Sequence, residues 1–453
     1  MIVPTRLVLP VAFVALLASA TARAADSPAS RYIVHFAEGA VAPAVMAQAG
    51  TTRAAANTAI RRIRTLATGG ELVELTAAQA DALAAHPDVL AVEEDRLLTH
   101  AALAEADTDG LWIRQWYMHD KKVGIDAEVA WQVTRGAGAT VAVLDTGSTP
   151  HPELDGQLLP GWDFVSDAAN ARDGDGRDAD PTDEGDWVDP GECGSAPAAK
   201  SSWHGTHVMG VVAARRGGGI GPMGVIGVAP EAKVLPVRVL ARCGGRLSDV
   251  ADGIIWASGG DVAGVPRRAP VDVINLSLRV VGECGLTMGS AIEQARRRGT
   301  AVVAAAGNDG TKAAIVAPAN CPGVVTVTAL ARDGGMAWYA NHGERVTLAA
   351  PGGTLKGPGV YDILSSAWRG KRGRELAVFK YYAGTSTAAP QVSALVALMR
   401  SVDPAISVDD ITKQLVDNAR PLPGYCPKGC GAGLMDAGAT VDAVAKDRVR
   451  RRR

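Results

Sequence analysis

TVAVLDTGS, residues 140–148, runs four apolar residues, Val141 to Leu144, straight into Asp145 and a Thr-Gly turn. A short apolar run closed by a turn signal reads as a buried strand of a parallel sheet. Asp145 then stands at the strand's carboxyl end, the edge where open α/β sheets gather their chemistry. Two further segments put a chemical side chain at the edge of an element. HGTHVMG, residues 204–210, continues into an apolar stretch that predicts a buried helix with His207 in its first turn. GTSTAAPQV, residues 384–392, precedes a run of helical composition and sets Ser386 at a helix N-terminus. Pro390 suits only the start of such a helix, where its missing N–H is not needed.

Taken singly, each segment has an ordinary reading. Turns of this kind are common, His204 and His207 also read as polar residues of a Gly-rich turn or a spaced metal pair, and serine often caps a helix. Together they supply a nucleophilic hydroxyl, an imidazole to take its proton and a carboxylate to orient the imidazole. The chain order Asp145, His207, Ser386 is one of three in which that arrangement recurs. A fourth segment, TAVVAAAGN at residues 300–308, reads as a buried strand ending in Asn308, whose amide would donate to the oxyanion of a tetrahedral intermediate. A zinc-peptidase helix needs a Glu beside the first His and a four-residue His spacing, and neither is present.

On these four segments the chain resembles the subtilisin-like (subtilase) serine endopeptidases, most closely the disulfide-containing secreted proteases of Gram-negative bacteria, from about Trp116 to Met435. The resemblance implies an α/β fold, a parallel sheet flanked by helices, preceded by a small α+β inhibitor-like propeptide. It implies Asp145, His207 and Ser386 as the triad and Asn308 as the oxyanion donor. Ser277 and Leu278 of VDVINLSL map onto the segment that pairs with substrate backbone. Thr387, Gln391 and Met209 stand where the family usually has Met, His and Ala, and none of these removes a proton-transfer group. Arg279 replaces a frequent glycine, and a cation there would favour acidic residues in the substrate unless it simply faces solvent.

The 453 residues, 47% apolar with 52 glycines and 4% aromatics, suit a compact α/β enzyme rich in tight turns. A net charge of −2 gives no reason to expect a nucleic-acid partner. Arg6 precedes the apolar run LVLPVAFVALLASA, and Ala22 and Ala24 follow at A-x-A spacing. This reads as a secretory signal peptide cut after Ala24, against a membrane anchor, for which the run is short. The mature chain is thus expected outside the cell after passing the periplasm, off the membrane and monomeric, with proteins and peptides as substrates. Six cysteines in an exported chain imply disulfides, with 15 possible pairings and no common zinc spacing. Cys426 and Cys430 bracket a turn suited to a small loop. Nearness in sequence and the resemblance favour Cys193–Cys243 and Cys284–Cys321.

Before the catalytic segments lies a cysteine-free module. RYIVHF and ELVEL alternate as strands, residues 44–63 are helical in composition, TAAQADALAAH is a Thr-capped helix and PDVLAVEED a last strand. The resemblance makes this β-α-β-α-β module an intramolecular inhibitor and folding aid, cut away within residues 95–109. Boundaries follow at 1–24 (signal peptide), 25–105 (propeptide), 106–445 (peptidase domain) and 446–453 (a basic tail). The stretch NARDGDGRDADPTDEGDW alternates carboxylates with glycines, as a hard cation prefers. With the resemblance it suggests a structural Ca²⁺ held by Asp173, Asp175, Asp178, Asp180 and Asp183, or else a solvated acidic loop.

Overall fold

The structure is a computed structural model, and it describes residues 29–49, 60–100, 111–194, 196–215, 224–356 and 359–452. The expected signal peptide and residues 101–109 of the expected cut region lie outside the described residues. Seven strands form one parallel sheet in the order Leu348–Pro351, Val325–Leu330, Ala301–Ala305, Val273–Leu276, Thr140–Asp145, Lys233–Arg238 and Trp162–Asp163. The chain fills one side of Thr140–Asp145, then crosses to the other at Val273, so the strand order reverses there. Side chains on that strand alternate between two cores. Val141 and Val143 join the cluster built on helices His204–Ala213 and Thr385–Val402. Ala142 and Leu144 join the one built on Leu247–Ala257 and Gly285–Arg297. Both faces are therefore dry, which is why these strands read as unbroken apolar runs.

The N-terminal module is a four-stranded antiparallel sheet in the order Arg61–Thr65, Glu71–Leu75, Ser30–Phe36 and Val89–Glu94. It has one strand more than expected. Arg61–Thr65 overlaps the stretch read as helix, and the helix there is Ala42–Ala49. Ala77–Ala84 is capped as foreseen, Thr76 and Gln79 exchanging backbone N–H bonds. Val34, Val73 and Leu75 pack on the module's own helices. Ile33 and Leu72, one residue out of phase, enter the core of the large domain.

Three polar anchors reinforce that docking. Glu93 accepts from the first N–H groups of helix Gly285–Arg297, at Leu286 and at Thr287 (3.1 Å), and from the Thr287 hydroxyl at 2.5 Å. Asp95 accepts from Ser248 N and Oγ at 2.9 and 3.0 Å at the start of helix Leu247–Ala257. Arg64 pairs with Asp249 and Asp252 on that helix. Carboxylates at helix N-termini satisfy orphan donors and oppose the macrodipole.

The disulfides are Cys193–Cys243, Cys284–Cys321 and Cys426–Cys430, as expected. The basic tail is not separate. Residues 446–452 continue the helix Ala437–Arg452, and Arg448 and Arg451 bond the Val402 carbonyl and Asp403. Those contacts hold the final turns against the end of helix Thr385–Val402. No helix among the described residues is long and apolar enough to cross a membrane.

Candidate active site

Asp145 ends its strand fully buried, and the chain turns through Thr146 and Gly147 (φ +97°). The helix carrying the histidines begins at His204 itself, after Trp203 in a left-handed conformation. Its first turn lies against the Asp145 turn. A Cβ on Gly205 would sit 2.2 Å from the Gly147 carbonyl oxygen, so only glycine permits this approach. Gly205 N donates to Thr146 Oγ1 at 3.0 Å, and Thr146 donates onward to Asp183 at 2.7 Å.

This packing brings His204, not His207, to the carboxylate. His204 Nδ1 lies 2.8 and 3.0 Å from the two oxygens of Asp145, with both side chains buried. Nε2 of the same ring is buried and has no hydrogen-bond partner among the described residues. His207 is a turn further along the helix and faces the other way. Its Nε2 bonds the backbone carbonyls of Ile363 and Lys380 at 3.1 and 3.2 Å, and its ring stacks on Tyr382 at 4.3 Å. Burial, aided by the nearby His204, pulls its pKa down to about 3. The expected partnership of His207 with Asp145 is therefore corrected to His204. The two imidazoles are three positions apart on the helix, and the helix start decides which meets the strand end.

Ser386 is the second residue of helix Thr385–Val402 and is buried. Pro390 has no N–H to give the carbonyl four residues back, which is that of Ser386. Ser277 Oγ fills the gap, donating to Ser386 O at 2.9 Å, and itself accepts from Asn275. Ser277 thus positions the serine through its side chain. Asn308 Oδ1 accepts from both N and Oγ1 of Thr385 at 2.9 Å, which fixes the amide plane beside the serine. Thr385 in turn accepts from Gly307 N at 3.0 Å. Thr385, Thr146 and Gly205 were not singled out from the sequence, although they neighbour the residues that were. Gln391, in place of the usual His, donates to Pro351 O at 2.7 Å inside the helix packing.

The cleft holds part of the chain's own N-terminal module. Strand Leu97–His100 lies antiparallel between Leu278–Val281 and Gly245–Arg246. Thr99 pairs with Arg279 and His100 with Leu278, the segment expected to hold substrate backbone. Gly244 (φ +87°) allows the approach, since a Cβ there would lie 2.3 Å from Leu98 O. The His100 ring stacks on His204 at 5.0 Å. Arg279 neither faces solvent freely nor offers a free cation to substrate: it pairs with Asp309 at 2.9 Å.

The five carboxylates expected to hold calcium do not converge. Asp173 pairs with Arg238, and Asp178 and Asp180 accept turn N–H groups of Asp180 and Thr182. Asp175 is exposed, and Asp183 is buried against Thr146 and Gly185 N. Among the described residues no three His, Cys, Asp or Glu side chains group as ion ligands. Two guanidinium groups, Arg177 and Arg238, supply positive charge to this region. As a set these residues do not fit a calcium cage.

Residues 136–434 match the model of the Subtilase family, Peptidase_S8. An "Extracellular protease" of Xanthomonas campestris pv. campestris is 46% identical over 396 residues, 85% of this chain and 66% of that protein. An "Extracellular basic protease" of Dichelobacter nodosus is 40% identical over 381 residues, 82% of this chain and 61% of that protein. The chain thus spans about two thirds or less of the length of these relatives. A solved protease of Pseudoalteromonas arctica superposes with a TM-score of 0.71 at 45% identity, covering 73% of this chain and 97% of that one. Fervidolysin of Fervidobacterium pennivorans, 22% identical, shares the fold over 93% of this chain and 62% of its own, with a TM-score of 0.67.

Proposed function

Because the chain belongs to the subtilase family, we propose that it is a secreted serine endopeptidase made as a self-processing precursor. The observation that carries this reading is the His204 ring, bonded to Asp145 through Nδ1, with a buried Nε2 that has no hydrogen-bond partner among the described residues. An imidazole so held has its tautomer set by the carboxylate and its other nitrogen ready to accept a proton. Ser386 Oγ attacks the peptide carbonyl carbon as its proton passes to His204 Nε2. The carbonyl oxygen becomes an oxyanion, for which Asn308 Nδ2 is the side-chain donor. The C–N bond breaks, the amine leaves with the proton from His204, and an acyl-Ser386 ester remains. Water, deprotonated by the same nitrogen, then hydrolyses the ester and restores the hydroxyl.

The N-terminal module is the inhibitor in this reading. Its strand Leu97–His100 adds to the cleft by backbone pairing, as a bound peptide does, and its anchors Glu93, Asp95 and Arg64 hold it there until it is cut. Names of the relatives that include "extracellular" support export. The test is labelling by a fluorophosphonate: the mature protein reacts at Ser386, and Ser386→Ala and His204→Ala variants do not. Labelling that persists in His204→Ala and disappears in His207→Ala would return the base to His207 and overturn this assignment.

A further inference from the structure

Asp186 lies eighteen residues before His204, in the loop between Asp145 and the histidine helix, and enters none of the chemistry above. It is buried, and its carboxylate is held at a fixed angle by Ser202, whose N and Oγ donate at 2.5 and 2.7 Å. One further contact completes it: His100 Nε2 of the cleft strand approaches Asp186 Oδ2 at 3.3 Å. The same His100 ring stacks on His204 and pairs in register with Leu278. Thr99 faces Arg279 and His100 faces Leu278, so the next position in that register is Ser277, whose side chain holds the Ser386 carbonyl. A peptide in this register meets the nucleophile one residue beyond His100.

We propose that Asp186 is a specificity-determining residue that selects a cationic side chain at the second position before the cut bond, with His100 as the built-in example. The inference rests on the serine-peptidase reading above and adds a substrate class to it. A buried carboxylate with its lone pairs partly satisfied by Ser202 gains most from a partner that brings charge as well as a donor. An acidic side chain would face Asp186 with Asp145 and Asp183 near by, and like charges so placed disfavour binding. Lys200 borders the same cavity. Arg242 and Arg246 also line it, and Glu192 accepts from Arg242. The contact also works in the expected direction on both partners. Burial opposes charging His100, yet Asp186, Asp145 and Asp183 raise its pKa overall, and His100 and Ser202 lower that of Asp186 against its burial.

The test uses the mature enzyme and peptides Leu-Leu-Thr-X-Ala carrying a fluorogenic leaving group, with X as Lys, Ala or Glu. The expected result is kcat/KM at least tenfold higher for Lys than for Glu, with Ala between. In Asp186→Asn the Lys-to-Glu ratio falls to within about twofold of unity, and in Asp186→Lys it inverts. A ratio is read within one preparation, so loss of folded protein cannot mimic the change. In the full-length precursor, His100→Glu slows processing and Asp186→Lys added to it restores the rate. A flat profile in the wild-type enzyme, or a Lys preference that survives Asp186→Asn, overturns the inference and leaves the peptidase reading intact if Ser386→Ala abolishes hydrolysis. Hydrolysis of none of the peptides, nor of casein, by the wild-type enzyme overturns both.

Discussion

At the scale of single residues, two imidazoles three positions apart on one helix have opposite environments and hence opposite consequences. His204 touches a carboxylate and keeps an Nε2 with no partner among the described residues; His207 is locked neutral between backbone carbonyls. His204→Ala should lower kcat on the order of 10⁶-fold, the size that loss of the triad histidine has in subtilisin. His207→Gln, which retains an amide able to reach those carbonyls, should stay within about tenfold of wild type. Steady-state kinetics on a peptide substrate separates the two. The low pKa of His207 also fixes the sign of a pH effect. The unfolded chain takes up this proton near the ordinary value of 6.5, while the fold resists it down to about 3. Stability is full above that ordinary value and is lost as pH falls through the window, by up to about 1.4 kcal/mol per unit. Urea midpoints at pH 7 and pH 4.5 should differ less in His207→Gln than in the wild type.

Elements set these residues in place through close approaches and caps. The histidine helix begins against the Asp145 turn because Gly205 and the Gly147 carbonyl touch. Gly205→Ala should push the helix outward and lower kcat/KM by about 10²-fold, since a misplacement near 1 Å has that cost. Crystallography of the variant would show His204 displaced from Asp145. The N-terminal module docks by the same logic, its Glu93 and Asp95 capping two helices of the large domain. Caps of this kind contribute about 1 kcal/mol each. Glu93→Ala with Asp95→Ala should therefore weaken inhibition by the added module roughly tenfold or more, measured as Ki on the mature enzyme. Much of this level was legible. The strands Thr140–Asp145 and Ala301–Ala305 declared themselves by unbroken apolar runs, and Thr76 announced its helix by a capping pair. The strand Arg61–Thr65 did not, because its arginines carry no alternation and take their structure from pairing with Glu71–Leu75.

Across the whole molecule, three disulfides close loops of very different length. Cys193–Cys243 and Cys284–Cys321 span 50 and 37 residues, Cys426–Cys430 only 4. Loop-closure entropy gives about 4 kcal/mol for either long loop and about 2 for the short one. Paired Cys→Ser replacement should lower the denaturant midpoint markedly more at 284–321 than at 426–430. The acidic loop shows the limit of pattern at this scale. Its Asp and Gly alternation suits a hard cation, yet Arg177 comes from within it and Arg238 from a distant strand, and both turn its surroundings into ion pairs.

The sequence by itself determined the family and the sheet, and it placed Asp145, Ser386 and Asn308 at the ends of elements, because each is carried by a local pattern: an apolar run, a turn, a helix start. Tertiary structure alone decided which histidine meets the aspartate, what Asp186 and Arg279 are paired with, and that the module's last strand lies in the cleft. Those outcomes depend on where a helix begins against a turn and on charges brought together from 86 residues apart, as His100 and Asp186 are. Local composition contains neither quantity, since distance and burial arise only once the chain has packed.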